Sequence, residues 1–252
     1  MNITIYQGHC HELPRSDVNI VIDVLRAFTV AHYAFLRGAK EIFLTATAEH
    51  AFLLKEKNPG YLLAGEVHGL PIEGFDFDNS PARMAVAGVN GRTLVQKTTN
   101  GVRAALNALD ADAVFVTGFS NARKTAESVQ KLWGQGASVN IIASHPDGDD
   151  DLACAEYIKG ILLGREILSK GAASERIRSC GPARKFFDKA FPEFKVEDIS
   201  FCTNEVKGGF VMFVDCSGEL PRIVRVNDDE LYRIGPAGKR RKAEVQRIDG
   251  PN

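Results

Sequence analysis

A chain of 252 residues, 44% hydrophobic and 25% charged, holds enough apolar material for a large core, which excludes disorder along its whole length. The formal net charge of −1 excludes a global positive field of the kind that draws proteins to nucleic acid or anionic lipid. An anionic ligand must therefore be held by local groups.

Residues 2–6 read as a first strand, followed by a turn near Pro14 and a buried strand over 18–22 that ends at Asp23. A helix over 27–37 stops at Gly38, a strand spans 41–45, and a helix over 48–57 ends in Asn58-Pro59-Gly60. The strand 61–64 opens onto a loop reaching Asn79, longer than most connections of its kind. Ser80-Pro81 starts the next helix, with Ser as cap and Pro at the first helical position. A strand at 93–95 leads through Thr98-Thr99-Asn100-Gly101 into a helix to 109. Strands at 113–117 and 138–143 flank a helix over 121–133. An acidic loop opens a helix over 152–163, and two more helices reach about residue 191. Stretches 199–203, 210–216 and 223–226 read as strands.

This alternation predicts an α/β fold: three layers, a largely parallel or mixed sheet flanked by helices, in one unit or two packed halves. The unit is expected over 1–232, with a subdivision near 115–150, followed by a basic tail over 233–252 that contains Lys239-Arg240-Arg241-Lys242. The start of the chain has no signal-peptide pattern, and the run Ile161-Leu162-Leu163 is too short to span a bilayer. Five cysteines (10, 154, 180, 202 and 216) form no CxxC pair, as expected of free thiols in a reducing cytosol. The expectation is a cytoplasmic protein with neither nucleic-acid nor membrane partner, and with self-association left open.

Ligands of open α/β sheets sit beyond the carboxyl ends of the strands, and four polar clusters fall at such ends. Asp23 and Arg26 follow the second strand; Asp23 caps a helix or belongs to a site. Glu66, Glu73, Asp76, Asp78, Asn79 and Ser80 occupy the long loop, whose carboxylates suit a hard cation or a solvated surface. Thr98, Thr99, Asn100 and Gly101 stand at a helix start, either as a simple cap or as an anion cradle. Asp147, Asp149, Asp150 and Asp151 precede another helix, where acids favour the dipole or collect a cation. No GxxxxGK[ST] loop is present, and of six histidines only His68 and His145 lie in these loops.

The segments Ile22-Asp23-Val24-Leu25-Arg26-Ala27, Gly65-Glu66, Gly74 through Pro81 and Thr98-Thr99-Asn100-Gly101, with Asn121 after a later strand, resemble the 2-phosphosulfolactate phosphatase family in order and spacing. The resemblance implies a Mg²⁺-dependent phosphatase of mixed α/β architecture. It would hydrolyse 2-phospho-3-sulfolactate, or a related small phosphorylated hydroxy acid, to the alcohol and phosphate, a step toward coenzyme M. It also implies catalytic roles for Asp23, Arg26, Glu66 and Asp76, and phosphate or substrate contacts from Arg26, Asn79, Ser80, Thr98, Thr99, Asn100, Gly101 and Asn121. Metal ligation is expected from Asp23, Glu66 and Asp76, with Asp150 and Asp151 as further candidates. The chain departs from the family pattern at Val102, at Asp78 and over residues 144–151, and the last change is expected to alter one wall of the pocket.

Attack by metal-activated water is preferred to a phospho-enzyme. Position 25 is Leu, not the second Asp of haloacid dehalogenase-type sites, and no Cys-x5-Arg site is present. The alternatives are a non-catalytic phosphate- or nucleotide-binding module, and a scaffold in which all four clusters are caps.

Overall fold

The computed structural model describes residues 1–9 and 12–235. Its strands are β1 (Asn2–Gln7), β2 (Ser16–Ile22), β3 (Glu41–Leu44), β4 (Leu62–Val67), β5 (Leu70–Pro71), β6 (Thr93–Lys97), β7 (Ala111–Thr117), β8 (Ser138–Ala143), β9 (Val211–Asp215) and β10 (Arg222–Val226). The helices are α1 (Ala27–Leu36), α2 (Ala48–Lys57), α3 (Pro81–Met84), α4 (Gly101–Asn107), α5 (Ala122–Trp133), α6 (Asp149–Leu163), α7 (Lys170–Ser179), α8 (Val196–Thr203) and α9 (Asp228–Ile234). Most of the basic tail expected from residue 233, including residues 239–242, lies outside the described residues. Among the described residues no helix is long and apolar enough to cross a membrane.

The ten strands form one mixed sheet in the order β1-β8-β2-β7-β9-β10-β3-β6-β4-β5. Two parallel runs, β1-β8-β2-β7 and β3-β6-β4, are joined by the antiparallel hairpin β9–β10. Both joints to the hairpin are antiparallel as well, so three reversals separate the runs and give them opposite local sense. The sheet is thus mixed and flanked by helices, as the sequence predicts.

Apolar residues on alternate positions of each strand feed two cores. Val21, Val114, Val116, Ile142, Met212 and Leu94 pack with α1 and α4 on one face. Ile20, Ile22, Phe115 and Ile141 pack with α5 and α6 on the other. Ile20 lies opposite both Phe115 and Ile141 in the ladder, which places β2 in the middle of its run and explains its near-continuous apolar sequence.

Local signals set several boundaries. Ser80 Oγ accepts the Arg83 N–H at 3.3 Å with Pro81 behind it, as the Ser-Pro pair predicts. Two C-terminal elements differ from expectation. Residues 196–203 form α8, not a strand: Ile199, Cys202 and Thr203 are buried at helical spacing, and Thr203 Oγ1 bonds the Ile199 carbonyl at 2.7 Å. A further helix, α9, begins at a reciprocal cap between Asn227 and Glu230, an N-x-x-E signal present in the sequence.

Candidate active site

Asp23 follows β2, Glu66 lies near the end of β4, and Thr98 to Asn100 follow β6. In a flat sheet, runs of opposite sense would put these ends on opposite edges. The structure nonetheless brings them together beside α1 and α4, where the Gln96 amide donates to the Ala27 carbonyl at 2.9 Å and Gly101 packs against Asp23. Gly65 permits the close approach of β4 to β6, since its φ is 148° and a side chain there would overlap the Lys97 carbonyl.

The result is a cavity of about 350 Å³ lined by Asp23, Arg26, Glu66, Asn79, Thr99 and Asn100, with His68, His145, Lys185, Phe186 and Phe194 completing much of its wall. Asp23 Oδ1 accepts the Ala27 N–H at 2.8 Å, so this residue both caps α1 and faces the cavity. Burial, then the nearby Asp151 and Glu66 charges, push its carboxyl up to about 8, opposed in part by the Ala27 and Gly101 N–H groups. Behind it stand two more buried acids. Asp150 is raised to about 7 by burial and by Asp23, and Asp151 is raised by burial and by Asp150. Asp151 accepts from the Val24 and His145 N–H groups and from Ser144 Oγ.

Arg26 is 4% exposed and tightly seated. Its Nη1 donates to Asp198 Oδ2 at 2.9 Å, its Nη2 donates to the Gly69 carbonyl at 3.3 Å, and Phe186 and Phe194 rings lie 5.2 and 5.0 Å from the guanidinium carbon. A guanidinium has five N–H donors, so others remain for a ligand. Asp198 also accepts from Ser80 Oγ at 2.6 Å and from the Ala82 N–H at 3.1 Å.

Glu66 ties two loops together by accepting from the Gly69 N–H, the Thr99 N–H and Thr99 Oγ1. Asn79 is buried and lines the cavity, and its Oδ1 has no hydrogen-bond partner among the described residues. His145 Nδ1 accepts the Asp147 N–H at 3.1 Å, which leaves the ring proton on Nε2, and burial lowers the imidazole pKa.

The structure brings together Asp23, Arg26, Glu66, Asn79, Thr99 and Asn100, with Gly101 packed against Asp23. Ser80 and Thr98 are set behind the cavity. Ser80 holds Asp198, and Thr98 Oγ1 caps the Val102 N–H at 3.0 Å. The expected cradle of free amides at this helix start is largely used internally, since the Thr99, Gly101 and Val102 N–H groups serve Glu66, Asp23 and Thr98. Asp76 and Asn121 do not reach the cavity. Asp76 accepts from Lys55 Nζ at 2.5 Å and from the Leu63 N–H at 2.7 Å, on the far side of β4. Asn121 is buried beneath β7, where its Oδ1 accepts from Thr117 Oγ1 and the Gly118 N–H. Sequence reasoning missed Asp198, Lys185, Phe186 and Phe194, which lie in the C-terminal third. The acidic first turn of α8, with buried residues at helical spacing behind it, was the one signal for Asp198.

Among the described residues no three His, Cys, Asp or Glu side chains form a ready metal cage. The donor chemistry nevertheless fits a hard cation. Asp23 and Glu66 line the cavity with carboxylates, and burial first, then the Asp151 and Glu66 charges, disfavours the ionised Asp23 in a way that a cation beside it would offset.

A family model described as 2-phosphosulpholactate phosphatase matches residues 4–182. A protein of Bacillus subtilis (strain 168), named "Probable 2-phosphosulfolactate phosphatase", is 58% identical over 226 residues, which cover 90% of this chain and 99% of its own length. Proteins of the same name from Caldicellulosiruptor saccharolyticus (strain ATCC 43494 / DSM 8903 / Tp8T 6331) and Carboxydothermus hydrogenoformans (strain ATCC BAA-161 / DSM 6008 / Z-2901) are 38% identical over 63% of this chain and 67% of their own, and 30% identical over 72% and 77%. The matched stretch carries Asp23, Arg26, Glu66, Asn79, Thr99 and Asn100, the side chains gathered at the cavity, and with this agreement the chain belongs to the 2-phosphosulfolactate phosphatase family.

Proposed function

We propose that the protein is a Mg²⁺-dependent phosphatase acting on 2-phosphosulfolactate or a closely related phosphorylated hydroxy acid. The observation that carries this reading is the meeting of a buried guanidinium, Arg26, with the acid cluster headed by Asp23 in one small cavity. One group suits phosphate oxygens, and the other suits the divalent cation that accompanies them.

Asp23 and Glu66 would hold the ion, with the buried Asp150 and Asp151, their carboxyls raised mainly by burial, standing behind Asp23. Mg²⁺ supplies charge neutralisation at the phosphoryl group and Lewis-acid activation of a water nucleophile. Arg26, fixed by Asp198, Gly69 and two aromatic rings, offers its unused N–H donors to phosphate without a cost of reorganisation at the moment of reaction. The buried Asn79 amide and the neutral His145, with its proton on Nε2, add uncharged hydrogen-bonding groups to the same cavity. Glu66 does two jobs, since the bonds that present it also close the β4 loop over Thr99.

Phosphate release from 2-phosphosulfolactate and from an aryl phosphate, with Mg²⁺ and then with chelator, tests this reading. Turnover lost on chelation, and reduced by about 10³-fold in Arg26→Ala, is the expected result. Phosphate binding without release under any of these conditions would favour a non-catalytic phosphate-binding protein.

A further inference from the structure

Part of the cavity wall comes from beyond the family match, which ends at residue 182: Lys185, Phe186 and Phe194. Lys185 belongs to a 3-10 turn, Pro182–Phe187, that Pro182 opens. Its Nζ lies 4.7 Å from the centroid of the Phe194 ring, and the same ring carries the Arg26 guanidinium at 5.0 Å. One aromatic side chain thus places two cations on one cavity. Their partners differ. Arg26 is matched by Asp198 at 2.9 Å, whereas Lys185 forms no ion pair among the described residues.

We infer that Lys185 is a specificity-determining residue, holding the acid group of the substrate that does not react. The inference rests on the phosphatase reading and deepens it by assigning one residue of this chain to the second anion of the substrate. The phosphoryl group is served by Arg26 and by the Asp23 side of the cavity. A phosphorylated sulfolactate brings two more anions, a carboxylate and a sulfonate, and Lys185 is the cation left for one of them. A lysine suits this task because its ammonium is a compact charge with three rotatable donors, indifferent to whether the acid is planar or tetrahedral. The Phe194 ring covers one side of the ammonium and shields it in part from water, which strengthens the attraction. At about 350 Å³ the cavity is at the small end for ligand sites, so a second anion cannot lie far from the first.

The test compares kcat/KM for 2-phosphosulfolactate with kcat/KM for an aryl phosphate that lacks any further acid, in the wild type, Lys185→Ala and Lys185→Arg. The ratio of the two values is expected to fall between about 10- and 100-fold in Lys185→Ala, with most of it restored in Lys185→Arg. A ratio unchanged from wild type, or an equal loss on both substrates, overturns the inference. If the wild type releases phosphate from neither ester, the phosphatase reading fails. Calorimetric binding of 3-sulfolactate to the same variants then decides the role of Lys185 separately. At least tenfold weaker binding in Lys185→Ala supports it, and unchanged affinity overturns it.

Discussion

Gly101 lies so close to Asp23 that a methyl group on it would stand 2.5 Å from Asp23 Oδ2 and 2.8 Å from Asp23 Cβ. The two residues belong to different parallel runs of the sheet, one following β6 and the other β2. Their contact is the point at which the runs close on each other, and only hydrogen fits between them.

Gly101→Ala is therefore expected to displace the Asp23 carboxylate while leaving the fold standing. Overpacking of this kind costs about 1–3 kcal/mol, measurable as a lowered denaturant midpoint. The kcat/KM for phosphate release should fall by at least about tenfold, because a misplaced carboxylate loses its geometry with Arg26. Full turnover in a folded Gly101→Ala protein would detach Asp23 from the chemistry.

Asp198 neutralises Arg26 with both side chains buried, 0% and 4% exposed respectively. Removing it leaves a buried, uncompensated guanidinium and strands the Ser80 hydroxyl and the Ala82 N–H. Asp198→Ala should lose about 3–5 kcal/mol of stability in denaturant unfolding. Asp198→Asn keeps the shape without the charge and should retain more stability while KM rises. A stability within error of wild type in Asp198→Ala would mean that Arg26 finds another partner.

The acid cluster makes a prediction about pH. In the chelator-treated protein Asp23 holds its proton up to about 8, whereas in the unfolded chain it ionises near 3.8. From about pH 4 to pH 8 the folded state thus binds the extra proton, so stability falls as pH rises through that window and levels off above it. Asp150, raised to about 7, acts in the same direction. Asp23→Asn should flatten the decline, read from urea midpoints at several pH values. Because a ligating carboxylate must lose its proton, Mg²⁺ affinity of the wild type should rise with pH up to about 8 in titration calorimetry. Affinity independent of pH would exclude Asp23 as a ligand.

Asp76 and Glu66, expected in one loop, are separated by the fold: Glu66 lies in β4 and Asp76 on its far side. Asp76→Asn disturbs a surface contact with Lys55 and should change kcat/KM by less than about fivefold. Glu66→Gln turns an acceptor-only group into one that cannot receive the Gly69 and Thr99 donors together, and should lower kcat/KM by more than about tenfold. Comparable losses in both variants would show that Asp76 acts at the cavity after all.

The fold was legible wherever local chemistry decides it. Alternating apolar segments marked β2, β7 and β8, and Ser80-Pro81 marked the start of α3. Asp23 stood out as a charge where an apolar strand ends, Asn100 as part of a polar helix start, and Glu66 and Asn79 as polar members of one long expected loop. Residues 199–203 were misread because Ile199, Phe201 and Cys202 favour a strand in isolation; burial at helical spacing against the rest of the protein reversed that preference. Asp198 went unseen with them, for a carboxylate in an expected connector carries no sign of the arginine it will meet.

By itself the sequence determined which residues carry charge, which segments must be buried, and where each strand stops, because these follow from side-chain polarity and short-range spacing. Tertiary structure alone decided which strand ends share a cavity. Three antiparallel joints set the two runs against each other, and the packing of the segments after β2 and β6 brought Asp23 against Gly101 while leaving Asp76 on the other side of β4. That outcome depends on strand order and handedness across more than seventy residues of chain, and no local pattern encodes either.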